Sequence, residues 1–330
     1  MKRPSQSCHI AICLLCFLIV TSNAFGTSRS LGTTYLPLDH WAYPVIERAI
    51  AKGALPQQFL VQRPWTRTAI ASLIVERRTT PERFAQDDES IILVHSLKKE
   101  SAPEIKVLDG DRAKSAEIEN VYTRVTGISG TPLRGTYHFG QNIVNDYGRP
   151  YGEGVNNITG ANVNGTSGIF GFEGRAEYQH SPGIDAYTPS QIAGLAVIDH
   201  NPTPTLPNNE AQDNAALLDT YVGVSWKRAY FSFGRESHWW GPGESSAMLM
   251  TNNVVPMFML KFDVAEPITL PWIFKYLGPV RYQMFMAKLK GHLYPRQPYF
   301  YGKKISLEPT KNLEIGLSRT TEIIPIPRTH

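Results

Sequence analysis

From about residue 36 to 100 apolar residues recur with helical spacing, and beyond about residue 116 the period changes to two. In the first stretch Asp39 stands where an N-cap belongs, ahead of Val45, Ile46, Ala49 and Ile50, with Gly53 as the stop. Thr66 is placed to cap a second helix containing Ala69, Ile70, Leu73 and Ile74. A third is predicted to begin at Thr80-Pro81 and to carry Ile91, Val94 and Leu97, with Lys98 and Lys99 at its negative end. A connector rich in charge and containing Pro and Gly follows over roughly 101–115.

The alternation beyond it is clearest in Ile169 to Gln179. Phe170, Phe172, Ala176 and Tyr178 share one face of an extended segment, and Glu173, Arg175, Glu177 and Gln179 share the other. Similar segments are Glu119 to Ile128, Arg134 to Val144, Thr220 to Trp226, Ala229 to Arg235, Val280 to Lys288, Tyr299 to Leu307 and Asn312 to Ser318. They predict about nine or ten strands, joined alternately by tight turns such as Lys227-Arg228 and long polar connections such as Pro182 to Gln212. A soluble sandwich or a membrane barrel produces this pattern. Carboxylates and guanidiniums on the polar face, interspersed aromatics and the short-turn, long-loop alternation favour the barrel. Glu173, Arg175, Glu177 and Arg281 are then expected to face its lumen.

The N-terminus changes the picture of where the protein acts. Lys2 and Arg3 precede the apolar stretch Ile10 to Val20, and Ser22-Asn23-Ala24 supplies small residues, so residues 1–24 read as a cleaved signal peptide. Residues 25–115 then form an exported helical domain and linker, and residues 116–330 the barrel domain. All three cysteines, Cys8, Cys13 and Cys16, lie in the leader, which removes disulfides and thiolate metal sites from the mature chain. Without Lys2 and Arg3 the balance is 31 basic against 29 acidic residues, too even to argue for nucleic acid. Leu270 to His330 nevertheless holds ten Lys or Arg against three Glu, which suits an acidic polymer if not paired elsewhere.

The candidate chemistry is binding rather than catalysis. Gly234-Arg235-Glu236-Ser237-His238-Trp239-Trp240-Gly241-Pro242-Gly243 couples two indoles to a tight turn. It can present an aromatic surface on which a sugar ring stacks, beside Arg235 and His238, or form part of an interfacial aromatic belt. Glu173 and Glu177 stand four apart on one strand face, about 13 Å, too far for a retaining glycosidase pair. No His-x₃-His spacing, Gly-x-Ser-x-Gly elbow or phosphate-cradling loop occurs, so no enzyme, metal or cofactor is expected.

The run Phe233 to Gly243, with Met248-Leu249-Met250-Thr251-Asn252-Asn253 and Pro256, resembles the central motif of the Wzi-type capsule-assembly family. Pro37-Leu38-Asp39-His40-Trp41-Ala42-Tyr43, Gly53 and Pro64-Trp65-Thr66-Arg67 are similar to that family's opening segment and, more loosely, to an S-layer-homology repeat. The resemblance implies a mainly β protein, an antiparallel outer-membrane β-barrel with a small N-terminal α-helical bundle in the periplasm (residues 25–115 with the linker), acting as a lectin that holds capsular or exopolysaccharide at the cell surface. It implies a family-specific role for Arg235, Trp239, Trp240, Gly241, Gly243, Asn252 and Asn253, to which His238 is added for sugar recognition and Pro242 for the turn. Family barrels have about eighteen strands, so this chain is expected to supply about half of one and to be C-terminally truncated or completed by a partner. Expected partners are acidic polysaccharide, outer-membrane lipid and, through residues 36–100, peptidoglycan. The alternative is a porin-like channel with a peptidoglycan-binding helical module.

Overall fold

The computed structural model describes residues 30–112, 114–130, 143–183, 185–198, 200, 202, 210–290 and 297–323. The predicted leader with its cysteines, most of the predicted strand Arg134 to Val144 and the final Ile324 to His330 lie outside the described residues.

The N-terminal unit holds helices α1 (Ala42–Ala51), α2 (Arg67–Thr79), α3 (Asp88–Glu100) and α4 (Ala102–Leu108), with a two-residue strand β1 (Gln62–Arg63) between the first two. Helix α1 packs on α3 and α2 on α4 around Leu36, Tyr43, Ile46, Ala49, Trp65 and Leu97. Thr66 caps α2 as its position predicts, its Oγ1 accepting from the Ala69 amide at 3.3 Å. Asp39 does not cap α1: the N-cap is Trp41, without a side-chain bond. The third predicted helix divides, because Pro81–Arg83 is a separate 3-10 turn and Asp87 precedes a fresh start at Asp88. Helix α4 occupies the expected connector, with Pro103 tolerated in its first turn, where no helical N–H is needed.

The remainder is one antiparallel sheet. Its strands are β2 (Lys114–Ile128), β3 (Gly154–Ser167), β4 (Phe170–Ser181), β5 (Gln212–Leu217), β6 (Thr220–Trp226), β7 (Ala229–Glu236), β9 (Met257–Val264), β10 (Ile268–Thr269), β11 (Pro279–Lys288), β12 (Tyr299–Thr310) and β13 (Leu313–Ile323). Helix α5 (Pro189–Ile198) lies in the long β4–β5 connection, and β8 (Trp239–Trp240) pairs with β1 outside the main sheet. The order runs β2-β3-β4-β6-β7-β9-β11-β12-β13, with β5 extending the β6 side along β4 and β10 beside β11. Among the described residues the sheet is open: β2 and β13 are its edges and do not meet. Strands β3 and β9 are absent from the sequence reading above, and both are integral to this order.

The two faces differ as the alternation requires. On β4 the outer face carries Phe170, Phe172 and Tyr178, 58%, 40% and 51% exposed, while Glu173, Arg175, Glu177 and Gln179 are buried on the inner face. Arg281 is buried on the same inner face. Val222, Phe233, Phe258, Leu260 and Met286 continue the exposed apolar surface along the next strands. The N-terminal unit covers the inner face. Its leading segment lies against β4 and β6, where the Gly32 amide donates to the Gly168 carbonyl at 2.8 Å and the Tyr35 amide to Tyr221 Oη at 2.7 Å. A Cβ on Gly171 would stand 1.9 Å from the Thr33 carbonyl oxygen, so that approach requires glycine. Toward the β13 edge of the same face Arg281 donates to the Gln62 and Pro64 carbonyls at 2.8 and 3.0 Å, and Lys304 to the Val61 carbonyl at 2.8 Å. Charged inner-face side chains therefore serve as backbone donors to the helical unit, which satisfies groups that burial would otherwise leave at a cost.

The tight turns 168–169, 227–228 and 311–312 lie at one end of the sheet, together with the longer connection 265–278 that carries β10, while β2 to β3, β4 to β5 and β7 to β9 are joined at the other end.

Candidate functional site: a polar cavity between the helical unit and the sheet

The aromatic motif after β7 does not present a stacking surface. Trp239 and Trp240 are 5% and 1% exposed, and His238 is buried with them. Strand β8 is clasped between β1 and the chain at Met250, with Gln62 opposite Trp240, Arg63 opposite Trp239 and the Trp240 amide donating to the Met250 carbonyl at 3.0 Å. Trp240 Nε1 donates to Gln283 at 2.6 Å and Trp239 Nε1 to the Gly243 carbonyl at 2.9 Å, so both indoles use their polar atoms internally. His238 packs against Trp240 and Phe285, with centroids 5.7 and 4.9 Å away. The expectation of exposed stacking on Trp239 and Trp240 is corrected accordingly. The turn glycines allow backbone to meet backbone: a Cβ at Gly241 would lie 2.5 Å from the Met248 amide nitrogen, and one at Gly243 2.4 Å from the Ser246 carbonyl oxygen. Pro242 between them is exposed. Arg235 is half-buried and reaches the Leu217 carbonyl at 3.3 Å.

The motif's asparagines point the argument elsewhere. The Asn252 carbonyl accepts the Tyr147 amide at 2.7 Å, and Asn253 Oδ1 accepts the Asn145 amide at 2.8 Å. They hold the segment 145–149 against the sheet, and that segment carries Arg149 to the wall of a polar cavity, with Tyr147 buried behind it.

This cavity, of about 510 Å³, lies between the start of α1 and strands β2 to β4. Trp41, 45% exposed, and Tyr122 supply its aromatic lining. Arg175 binds Asp39 with both guanidinium arms, at 2.9 and 2.8 Å, and donates through Nε to Tyr122 Oη at 2.9 Å. Arg149 donates through Nε to Glu177 at 2.9 Å and through Nη1 to Asp146 at 2.5 Å. Arg124 forks onto Asp146 as well. The Tyr147 ring lies between two cations, 4.9 Å from the Arg175 carbon and 5.0 Å from that of Arg149. Burial pushes the Asp39 carboxyl up, but the Arg175 hydrogen bonds and charge outweigh it and hold it below the usual carboxylate range.

At the far wall His40 Nε2 stands 3.3 Å from Glu100 and 3.4 Å from Glu119. Burial alone would lower the imidazole, and the two carboxylates reverse that and raise it above 6.5. The hydrogen bond from His40 correspondingly lowers Glu100. These three residues have donor atoms close enough for a metal ion. Arg67, however, pairs with both Glu100 and Glu119 and already supplies the counter-charge a cation would bring.

Against this geometry the family whose description is capsule assembly protein Wzi matches residues 124–324, more than half of the chain. The chain belongs to the Wzi capsule-assembly family. A Klebsiella pneumoniae relative, an uncharacterized 55.8 kDa protein in the cps region, is 28% identical over 102 residues, covering 30% of this chain and 20% of the relative. Among solved structures, the chain is similar to Wzi of Escherichia coli, described as an outer membrane protein involved in group 1 capsule assembly and a carbohydrate-binding β-barrel. The TM-score is 0.57 at 15% identity, over 88% of this chain and 53% of that one, a likeness of fold. The chain thus spans about half the length of the solved barrel. The Wzi match begins at Arg124 on β2 and takes in Arg149, Arg175 and Glu177, whereas Trp41 and Asp39 lie before it.

Proposed function

We propose that the protein is part of an outer-membrane β-barrel that holds capsular or related exopolysaccharide at the cell surface, without catalysing a reaction. The observation that carries this reading is the division of the sheet, with exposed apolar side chains on one face and buried ionic side chains on the other, in a chain of the Wzi family. In lipid the first face meets acyl chains and the second stays polar. The end that holds the three tight turns is then periplasmic and the opposite end faces outward. The helical unit seated on the inner face favours a binding role over a porin-like channel, since it fills the space a conducting pore would leave open. Its peptidoglycan contact through residues 36–100 remains part of the proposal, as does export through a cleaved leader.

The test is genetic and physical together. Deleting the gene is expected to shift surface polysaccharide from the cell pellet to the medium without lowering the total made, and the protein is expected in the outer-membrane fraction. Unchanged partition of the polysaccharide between cells and medium overturns the proposal.

A further inference from the structure

We infer that the cavity between α1 and strands β2 to β4 is the saccharide-binding site, and that it takes an uncharged, hydroxyl-rich segment of the polymer rather than a uronate. The inference rests on the polysaccharide-holding reading above and assigns it a place and a ligand chemistry.

Size and lining argue for the site. A volume of about 510 Å³ falls within the range of about 300–1,000 Å³ that small-molecule sites occupy. Trp41 is an indole 45% exposed at the rim, and Tyr122 lies on the opposite, sheet wall. A pyranose offers C–H groups to such rings and hydroxyls to the groups between them. Asn120, exposed on β2, and Asn162 on β3 add amides, which both donate and accept, as hydroxyl groups do. The Trp239-Trp240 pair offers none of this, being enclosed.

The charge pattern sets the ligand class. Arg124, Arg149 and Arg175 are matched by Asp146, Glu177 and Asp39 in direct ion pairs. On the far wall the carboxylates of Glu100 and Glu119 are held by Arg67 and His40. An incoming carboxylate would have to displace one of these acids from its guanidinium while facing the others, and like charges held this close repel. Hydroxyls need no displacement: carboxylate oxygens and guanidinium edges already in place can take further hydrogen bonds. The pairs also fix the side chains beforehand, which lowers the ordering cost of binding.

The experiment uses the full chain, purified in detergent and fluorescently labelled, on an array of neutral and uronate-containing bacterial oligosaccharides. The native protein is expected to mark neutral oligosaccharides. Trp41→Ala and Asn120→Ala are each expected to lower that signal at least tenfold, while Trp272→Ala, an exposed indole remote from the cavity, leaves it unchanged. Heat-dependent migration in detergent gels identical to the native chain's establishes that the variants are folded. Binding by the native chain that survives Trp41→Ala and Asn120→Ala overturns the site but not the polysaccharide-holding reading. Binding confined to uronate-containing probes overturns the ligand class. No binding to any probe overturns the site and the reading together.

Discussion

Arg175 on β4 and Asp39 at the entry to α1, 136 residues apart, are joined by a two-armed ion pair at 2.9 and 2.8 Å. Asp39 therefore does not cap its helix, and becomes the point at which the helical unit is tied to the sheet. Arg175 is buried, and its guanidinium also reaches Tyr122 and lies over Tyr147. Arg175→Ala removes all three contacts and leaves Asp39 and Glu177 with less compensation. Breaking a buried pair costs about 3–5 kcal/mol, and the partial exposure of Asp39 places the expected loss near the lower end. Asp39→Asn, which keeps a hydrogen-bond acceptor, should lose less. Unfolding midpoints in detergent for both variants check the order.

The same tie sets a dependence on pH. His40 has a folded value raised above 6.5 by Glu100 and Glu119, so its stabilising contribution is complete below about 6.5 and is lost as pH rises through the folded value. Asp39 and Glu100 are lowered, so their contribution is present above the usual carboxylate range and is lost as pH falls through their folded values. The helical unit's attachment should be firmest in the mildly acidic interval between these limits. Protease sensitivity of residues 30–112 measured from about pH 2 to 9 should show a minimum there, and His40→Gln should flatten the alkaline rise while leaving the acid one. Arg67 faces His40 in the same cluster and stays charged throughout the range.

Trp240 gives a prediction opposite to that for a surface-stacking residue. Trp240→Phe keeps much of the ring volume but leaves the buried Gln283 oxygen without its 2.6 Å donor, which costs about 1–3 kcal/mol. Trp240→Ala adds a cavity, for about 3–5 kcal/mol. Both variants should lower the unfolding temperature, and Trp240→Phe, where it folds, should still bind polysaccharide. A Trp240→Phe variant with native stability and no binding would return the motif to a direct sugar-stacking role.

Gly241→Ala should damage the same hairpin through its backbone. The added Cβ would meet the Met248 amide nitrogen at 2.5 Å and Ala247 Cα at 3.0 Å, and backbone atoms cannot step aside as a flexible side chain does. Gly127→Ala on β2, where a Cβ meets nothing within 4 Å, is the matched control and should be near neutral. Comparing the two by heat-dependent migration separates a local steric demand from a general intolerance of glycine replacement.

How far the sequence disclosed this arrangement depends on contrast between faces. Strand β4 was legible because aromatic and ionic residues alternate along it. Strand β3, Gly154–Ser167, was not, because Asn, Gly and Thr occupy both faces and give no hydrophobic period. The reason is packing by its neighbours: a Cβ at Gly165 would fall 2.3 Å from the Phe172 ring, and one at Gly160 2.9 Å from Tyr122 Oη. Large side chains of β2 and β4 lie over β3 and supply what it lacks. The two-helix start was legible from Thr66 and the apolar spacing, but not Asp39's true partner, since no local pattern marks an ion pair of that sequence separation. The cavity was hidden for the same reason: Trp41, Tyr122, Arg149 and Arg175 come from four separate segments. The Trp-Trp pair drew attention because it is rare, and rarity does not distinguish a buried indole from an exposed one.

The outer face offers the most direct test of the membrane assignment. Leu260 lies within β9, is 59% exposed, and has Phe233 and Met286 as its register partners on either side. In water an exposed leucine replaced by arginine changes stability little, because both side chains are already solvated and the strand pairing is untouched. In a bilayer the same replacement puts a guanidinium among acyl chains, at about 2–4 kcal/mol near the midplane. Leu260→Arg should therefore reduce the fraction of protein assembled into outer membranes or liposomes, while Leu313→Arg, at the sheet margin beside a tight turn, should be tolerated far better because its charge reaches the headgroup region. Equal assembly of Leu260→Arg and the native chain would mean that the apolar face is not covered by lipid.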